Sequence, residues 1–377
     1  LLFAQTAPYN GGMSILITLH MVRSAAMIAW AALAAMCFPI AAAAECVLEI
    51  PTTASAAVFT RHLPKSCSAE ERASQSISSA DLLQALREGK DIDLAGVVVV
   101  GDLMFDQLPI TMPASWSAAS PPIQEALRAQ PAGDVRVIPG AISIRDSWVQ
   151  GKISTNLKQG LIVLTGPISL TGTTFERTVD LSHAAFESTV DFSDARLVKE
   201  GFFIRAIFTQ PVRFERTAFG VHARFHRATF KEPVTFLHAV FNGLSEFLEV
   251  SFEKDASFLD TTFKLGTGFS GSHFGARSDF SEATFDREAF YLFTQFDREA
   301  AFRRAAFHGT ADFSDAEFKG PTDFSKVRFD VQPSFVRAKG SPDQQSLGGI
   351  QDPKLFYAIA AGMLVAALGL LLFLRRT

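Results

Sequence analysis

Residues 223–247 read Ala-Arg-Phe-His-Arg-Ala-Thr-Phe-Lys-Glu-Pro-Val-Thr-Phe-Leu-His-Ala-Val-Phe-Asn-Gly-Leu-Ser-Glu-Phe, with Phe at 225, 230, 236, 241 and 247. The intervals alternate between five and six. The alternation runs outward from this stretch without a break, from Phe175 to Phe335, over thirty positions. Twenty-seven of them are Phe, and the others are Leu181, Leu197 and Tyr291. So short and regular a period marks a repeat architecture, in which each unit buries its apolar side by stacking on its neighbours.

A period of eleven also suits a right-handed coiled coil, but the internal spacing does not. Residues five apart on a helix diverge by about 140°, so paired phenylalanines would not share a stripe. The position two before each Phe decides between the readings. It holds Ala223, Ala228, Val234, Ala239 and Ser245 in the quoted stretch, and Ala, Val, Thr or Ser nearly throughout, with Gly201 and Pro333 as exceptions. A small residue two before a large one points inward with it on a short strand of period two. Pro211, Pro233 and Pro321 would also break helices. Pro211 and Pro233 stand four ring intervals apart, and Pro321 follows at a whole multiple of that spacing. Each buried ring contributes roughly 1.5–3 kcal/mol before the entropy of ordering the chain is set against it.

The units Ala-Thr-Phe-Lys-Glu (228–232), Ala-Asp-Phe-Ser-Asp (311–315) and Ala-Glu-Phe-Lys-Gly (316–320) resemble those of the pentapeptide-repeat family. The likeness covers residues 171–335 closely, and 92–105 and 161–170 more loosely. It implies an all-β fold, a right-handed quadrilateral parallel β-helix with four units per coil, and since every second unit here has a sixth residue, coils of 22 residues, with which the proline spacing agrees. Thirty units would then make a rod of about seven and a half coils, some 36 Å long.

The ends suggest an address. Met21-Val22-Arg23, the apolar run from Ala25 to Ile40 and Ala42-Ala43-Ala44 before Glu45 form the pattern of a secretory signal peptide, residues 21–44. Residues 1–20 read as an upstream extension. At the other end, Leu355 to Leu374 carries no charge and is followed by Arg375-Arg376. Its length matches a membrane-spanning helix with the arginines in the cytoplasm, and residues 354–377 are expected to be a single-pass anchor. The β-helix is therefore expected on the periplasmic or extracellular side. Removal of Cys37 with the signal peptide would leave Cys46 and Cys67, an even pair for one disulfide in an oxidising compartment.

Between these marks, residues 45–91 read as an amino-terminal cap segment containing a short capping helix, Ser79 to Glu88. Residues 92–170 read as irregular first coils, because Leu94, Val99 and Phe105 already keep the spacing. An insertion at 106–135 has a helical turn or two at Ile123–Arg128. The regular repeat occupies 171–335, and 336–353 is a polar linker.

Catalytic signatures are poor. The sequence has no Gly-x-Ser-x-Gly, phosphate-cradling Gly loop or His-Glu-x-x-His. His222 and His226 have no evident third ligand nearby, so they read as solvated surface histidines, and no metal or cofactor is expected. A 22-residue coil stacks Asp194, Arg216, His238, Asp260, Glu282, Arg304 and Lys326 in one ionisable column, a ladder for surface ion pairs or for an interaction with a glycan or an acidic partner. The companion column is His183, Arg205, Arg227, Glu249, Gly271, Phe293, Asp315 and Arg337.

The expected function is a non-enzymatic, exported, membrane-anchored scaffold whose partner is an envelope protein or glycan. The alternative is a carbohydrate-active β-helix enzyme, but its sequence support is thin, since the insertion holds only Asp106, Glu125 and Asp134 as acids. Some pentapeptide-repeat proteins mimic DNA on gyrase, which needs a strongly anionic rod. Residues 171–335 carry 24 acidic and 19 basic residues. That balance and the export signal speak against gyrase and against a nucleic-acid partner.

Overall fold

Strands two to five residues long repeat around four sides, and the small-x-large pattern dictates them. In Val234-Thr235-Phe236, for example, the outer two side chains are buried while Thr235 is only half-buried. The computed structural model describes residues 46–47, 56–111, 120–129, 133–157 and 160–340. The expected signal peptide, the upstream extension, linker residues 341–353 and the anchor segment lie outside them. Among the described residues no helix is long and apolar enough to cross a membrane.

The strands form four parallel sheets. Sheets A and B have eleven strands each and sheets C and D nine. The chain visits A, B, C and D in turn, so the fold is an all-β parallel solenoid of about eleven turns. Phe208 lies opposite Phe230 and Val212 opposite Val234, the register of a 22-residue coil. Three coils are longer: Phe59 pairs with Ile92, Ile92 with Ile142, and Ile142 with Ile168.

The solenoid begins earlier than the spacing reveals. Val58–His62 pairs with Asp91–Ala95 in sheet A, and Ile77–Ser78 with Val99 and Val100 in sheet B. The five-six pattern is missing here because the rest of this turn is helical. Helix α1 (Ala69–Ser74) starts in a capping box between Ser68 and Glu71. Its Arg72 is buried and donates to the carbonyls of Cys67, Pro64 and Gly96. Helix α2 (Ser79–Arg87) is capped by the Ser78 hydroxyl and buries Leu82, Leu83, Ala85 and Leu86. A disulfide joins Cys46 to Cys67 ahead of α1, with their Cα atoms 4.9 Å apart.

The longest coil carries the insertion. Its helix α3 (Pro121–Ala129) sets Ile123 against Leu161, Val163 and Ala185 on the outside of sheet D. At the far end, backbone pairing continues through Lys339, which bonds to Ala316 and Phe318. The first residues of the expected linker are thus still part of the rod.

Inside, the rings stack in four columns. Phe203, Phe225, Phe247, Phe269, Tyr291, Phe313 and Phe335 form the column of sheet C, with successive centroids 4.7–5.0 Å apart. Rings of A and C meet edge to face, as Phe236 and Phe247 do at 5.5 Å and 87°. Both geometries are favoured for aromatic pairs. Threonines two positions before a ring satisfy their hydroxyls locally. Thr217 and Thr261 donate to the carbonyls of Phe192 and Phe236, each at 2.8 Å, which lets a polar residue sit inside.

Candidate interaction face

The five-six alternation is a difference between corners. After Phe192 on sheet A, the amide of Ala195 donates back to the Phe192 carbonyl at 2.9 Å, and Asp194 adopts φ 61°. This tight turn needs a left-handed third residue and fits the five-residue interval. The same conformation recurs at Arg216, His238, Asp260, Glu282, Arg304 and Lys326, so all seven residues of the expected ladder lie on the A–B corner. The companion column, His183 to Arg337, lies on the opposite C–D corner with positive φ throughout. The six-residue corners in between use the extra residue instead.

The structure gives the ladder partners. Arg216 holds Asp194 bidentately at 2.6 and 2.8 Å, His238 meets Asp260 at 2.9 Å, and Arg304 bonds Glu282. On the opposite corner Arg227 pairs with Glu249 and Arg337 with Asp315. The hydrogen bonds from Arg216, Arg227 and Arg337 hold the carboxyls of Asp194, Glu249 and Asp315 below the usual carboxylate range. Exposed pairs of this kind contribute little each.

His222 and His226 are not free in solvent. Both point a ring nitrogen at the same oxygen of Glu246, at 2.9 and 3.0 Å, and Arg224 Nε reaches that oxygen at 2.9 Å. The third partner was hidden from a local reading because it sits on the next coil. Burial pushes the Glu246 pKa up, but the hydrogen bond from His222 and the charges of His222, His226 and Arg224 bring it below the ordinary value. Arg224 Nε also lies 3.2 Å from His222 Nε2. Among the described residues no group of three or more His, Cys, Asp or Glu is arranged to hold a metal ion.

The feature that the sequence reading missed is apolar. In the regular repeat, among the described residues, the exposed large hydrophobics are Val221, Leu244, Leu265, Phe290, Phe293, Val331 and Val336. All seven lie on sheet C or on the corners that border it. Sheet A presents polar residues outward instead, such as Arg213, Thr235 and Asp279, and sheet D does so beyond Ile207, as at Thr229, Ser251 and His273. On this side one unit has almost no outward side chains. Leu265-Gly266-Thr267-Gly268-Phe269-Ser270-Gly271 turns Thr267 and Phe269 inward. Its glycines bring no side chains of their own, and Gly268 is buried, with Leu248 of the preceding coil reaching over it. Reading the 22-residue columns for side-chain size rather than for charge would have exposed this side.

Residues 294–339 match the family model described as pentapeptide repeats, nine copies. The chain carries pentapeptide repeats. No curated protein and no solved structure matches it. As a pentapeptide-repeat solenoid it presents four outward sides, and side C sets the exposed Leu244 and Phe290 beside the cluster of Arg224, Glu246 and His222.

Proposed function

We propose that this protein is a non-enzymatic interaction scaffold, exported from the cytoplasm and held at the membrane by residues 354–377. The observation that carries the scaffold reading is the division of the solenoid. Its interior is filled by stacked rings, and its exterior is a regular lattice on which one side carries exposed apolar residues. A rigid repeat surface of that kind suits binding a partner rather than closing around a substrate. An envelope protein fits side C better than a glycan, because Leu244, Leu265, Phe290 and Phe293 are exposed there beside the charged cluster of Arg224, Glu246 and His222, a mixture usual at protein interfaces. No nucleic-acid partner and no cofactor is proposed. Helix α2 is read as a cap, since it stands at the end of the solenoid where sheets C and D have not yet begun.

Export is supported by the signal-peptide pattern at 21–44, the apolar segment before Arg375-Arg376 and the Cys46–Cys67 disulfide, which would persist in an oxidising compartment. Intact spheroplasts expressing the chain with a tag in the 341–350 linker would be treated with protease. Loss of the tagged ectodomain while a cytoplasmic marker survives is the expected result. Protection until lysis would overturn the topology. Turnover of an envelope polysaccharide by the purified protein would overturn the non-enzymatic reading.

A further inference from the structure

A recess of about 420 Å³ lies between helix α1 and the outside of sheet B, within the usual size of a small-ligand site. Val98 and Trp148 are paired neighbours on that outer surface. Val98 is only 7% exposed, whereas Trp148 is 40% exposed. Gln150 and Glu176 hold the same place on successive coils beside the indole, since Val149 pairs with Phe175. Both line the recess, as does Lys65.

The indole is braced. Arg72 sets its guanidinium over the ring, 5.5 Å from the centroid. Arg72 is itself buried and fixed by hydrogen bonds to the carbonyls of Cys67, Pro64 and Gly96. The Cys46–Cys67 disulfide pins the same wall just ahead of α1. A plate held in this way loses little freedom when a ligand meets it, which favours binding.

We propose that this recess binds one sugar residue of a neutral glycan, with the sugar ring against Trp148. The face of an indole is the negative side of its quadrupole and attracts polarised C–H groups, and a sugar ring presents a side made of them. The Glu176 carboxylate accepts from hydroxyls at the edge of that ring, and the Gln150 amide both donates and accepts. The surrounding charges select the ligand class. A purely apolar group would strip water from Glu176 and Gln150 and give nothing in return. A ligand of either net charge would meet a like charge, Glu176 on one side or Arg72 and Lys65 on the other. A neutral hydroxylated ring satisfies all of them. The site is separate from side C and depends neither on that surface nor on the compartment.

Isothermal titration of the purified full chain, in a detergent without a sugar headgroup, tests this with maltohexaose, cellohexaose, chitohexaose and mannohexaose. Saturable binding of at least one is expected, with a change in indole fluorescence. Trp148→Ala should weaken it at least about tenfold and abolish that change. Glu176 is exposed on the following coil, so Glu176→Gln leaves Trp148 and Arg72 in place, and it should weaken binding about fivefold. Thr262→Gln, farther along the same sheet, should leave binding unchanged. N-acetylphenylalanine amide, an aromatic side chain without ring hydroxyls, should not compete. Failure to bind any of these glycans, binding indifferent to either Trp148→Ala or Glu176→Gln, or competition by the aromatic amide would overturn the proposal.

Discussion

Tyr291 stacks on Phe313 with ring centroids 4.7 Å apart and planes within 8° of parallel, yet its hydroxyl is buried without a hydrogen-bond partner. It stands in a Phe column and fills the Phe position, and burial raises its pKa well above the ordinary phenol value. An unsatisfied buried hydroxyl costs of order 1–3 kcal/mol. Tyr291→Phe should therefore raise stability by about 1 kcal/mol, read from urea or guanidinium unfolding. A loss of stability instead would mean that the hydroxyl is bonded in solution.

Phe247 lies mid-rod between Phe225 and Phe269, at 4.8 and 4.7 Å. Phe247→Ala removes both stacking contacts and leaves a cavity that neighbouring coils cannot collapse into. A loss of about 3–5 kcal/mol is expected. Phe335→Ala, at the end of the same column and only partly buried, should cost clearly less. Equal losses would mean that the coils do not bear on one another as stacked units.

The disulfide closes a segment whose ends are 21 residues apart. Chain-entropy arguments give such a loop roughly 3 kcal/mol. Reduction, or the double replacement Cys46→Ser with Cys67→Ser, should lower the unfolding midpoint without abolishing the aromatic core. Non-reducing peptide mapping checks the pairing itself.

Much of the fold was legible because its signal is redundant. Thirty ring positions in one rhythm admit a single periodicity, and the small side chains two places before each ring separate strand from helix. The ladder was legible for the same reason, since a 22-residue coil places Asp194 beside Arg216 by arithmetic alone. What failed was local reading of non-local partners. Glu246 is 24 residues from His222 and lies against it, and no motif search along the chain looks that far. The first turn was unread because α1 enlarges its A–B corner and α2 stands where sheets C and D would run. Side C was overlooked because its exposed Leu244, Leu265, Phe290 and Phe293 stand at different places in the coil, which a search for columns of charged groups passes over.

Side C also predicts an effect of bulk on the corner. Phe293 holds a left-handed conformation, φ 57°, that a bulky side chain adopts at a cost, whereas Gly271 one coil before it does so freely. Phe293→Gly should leave stability unchanged or slightly raised, because relief of strain offsets the greater freedom of glycine in the unfolded chain. A marked loss of stability would show that the ring packs against neighbouring side chains.

Two windows of pH sensitivity should be separable. His183 is partly buried, and its Nδ1 has no partner. Burial, and then the charge of Arg205, lower its pKa. The folded state therefore disfavours the imidazolium, so stability falls as pH drops through the ordinary histidine range near about 6.5 and stops falling below the depressed value. The carboxylates act lower. Hydrogen bonds from Lys319 and then His273 hold Asp297 down, and those from His308 and then Arg328 hold Asp330 down. Their contribution is complete above the unfolded carboxylate range, about 4, and is lost as pH falls through the lower folded values. Melting temperatures measured from pH 8 to pH 2.5 should show a shallow step and then a steeper one. His183→Asn, which tolerates the left-handed corner, should erase only the first, and Asp297→Asn with Asp330→Asn should reduce only the second. A first step that survives His183→Asn would assign it to another histidine.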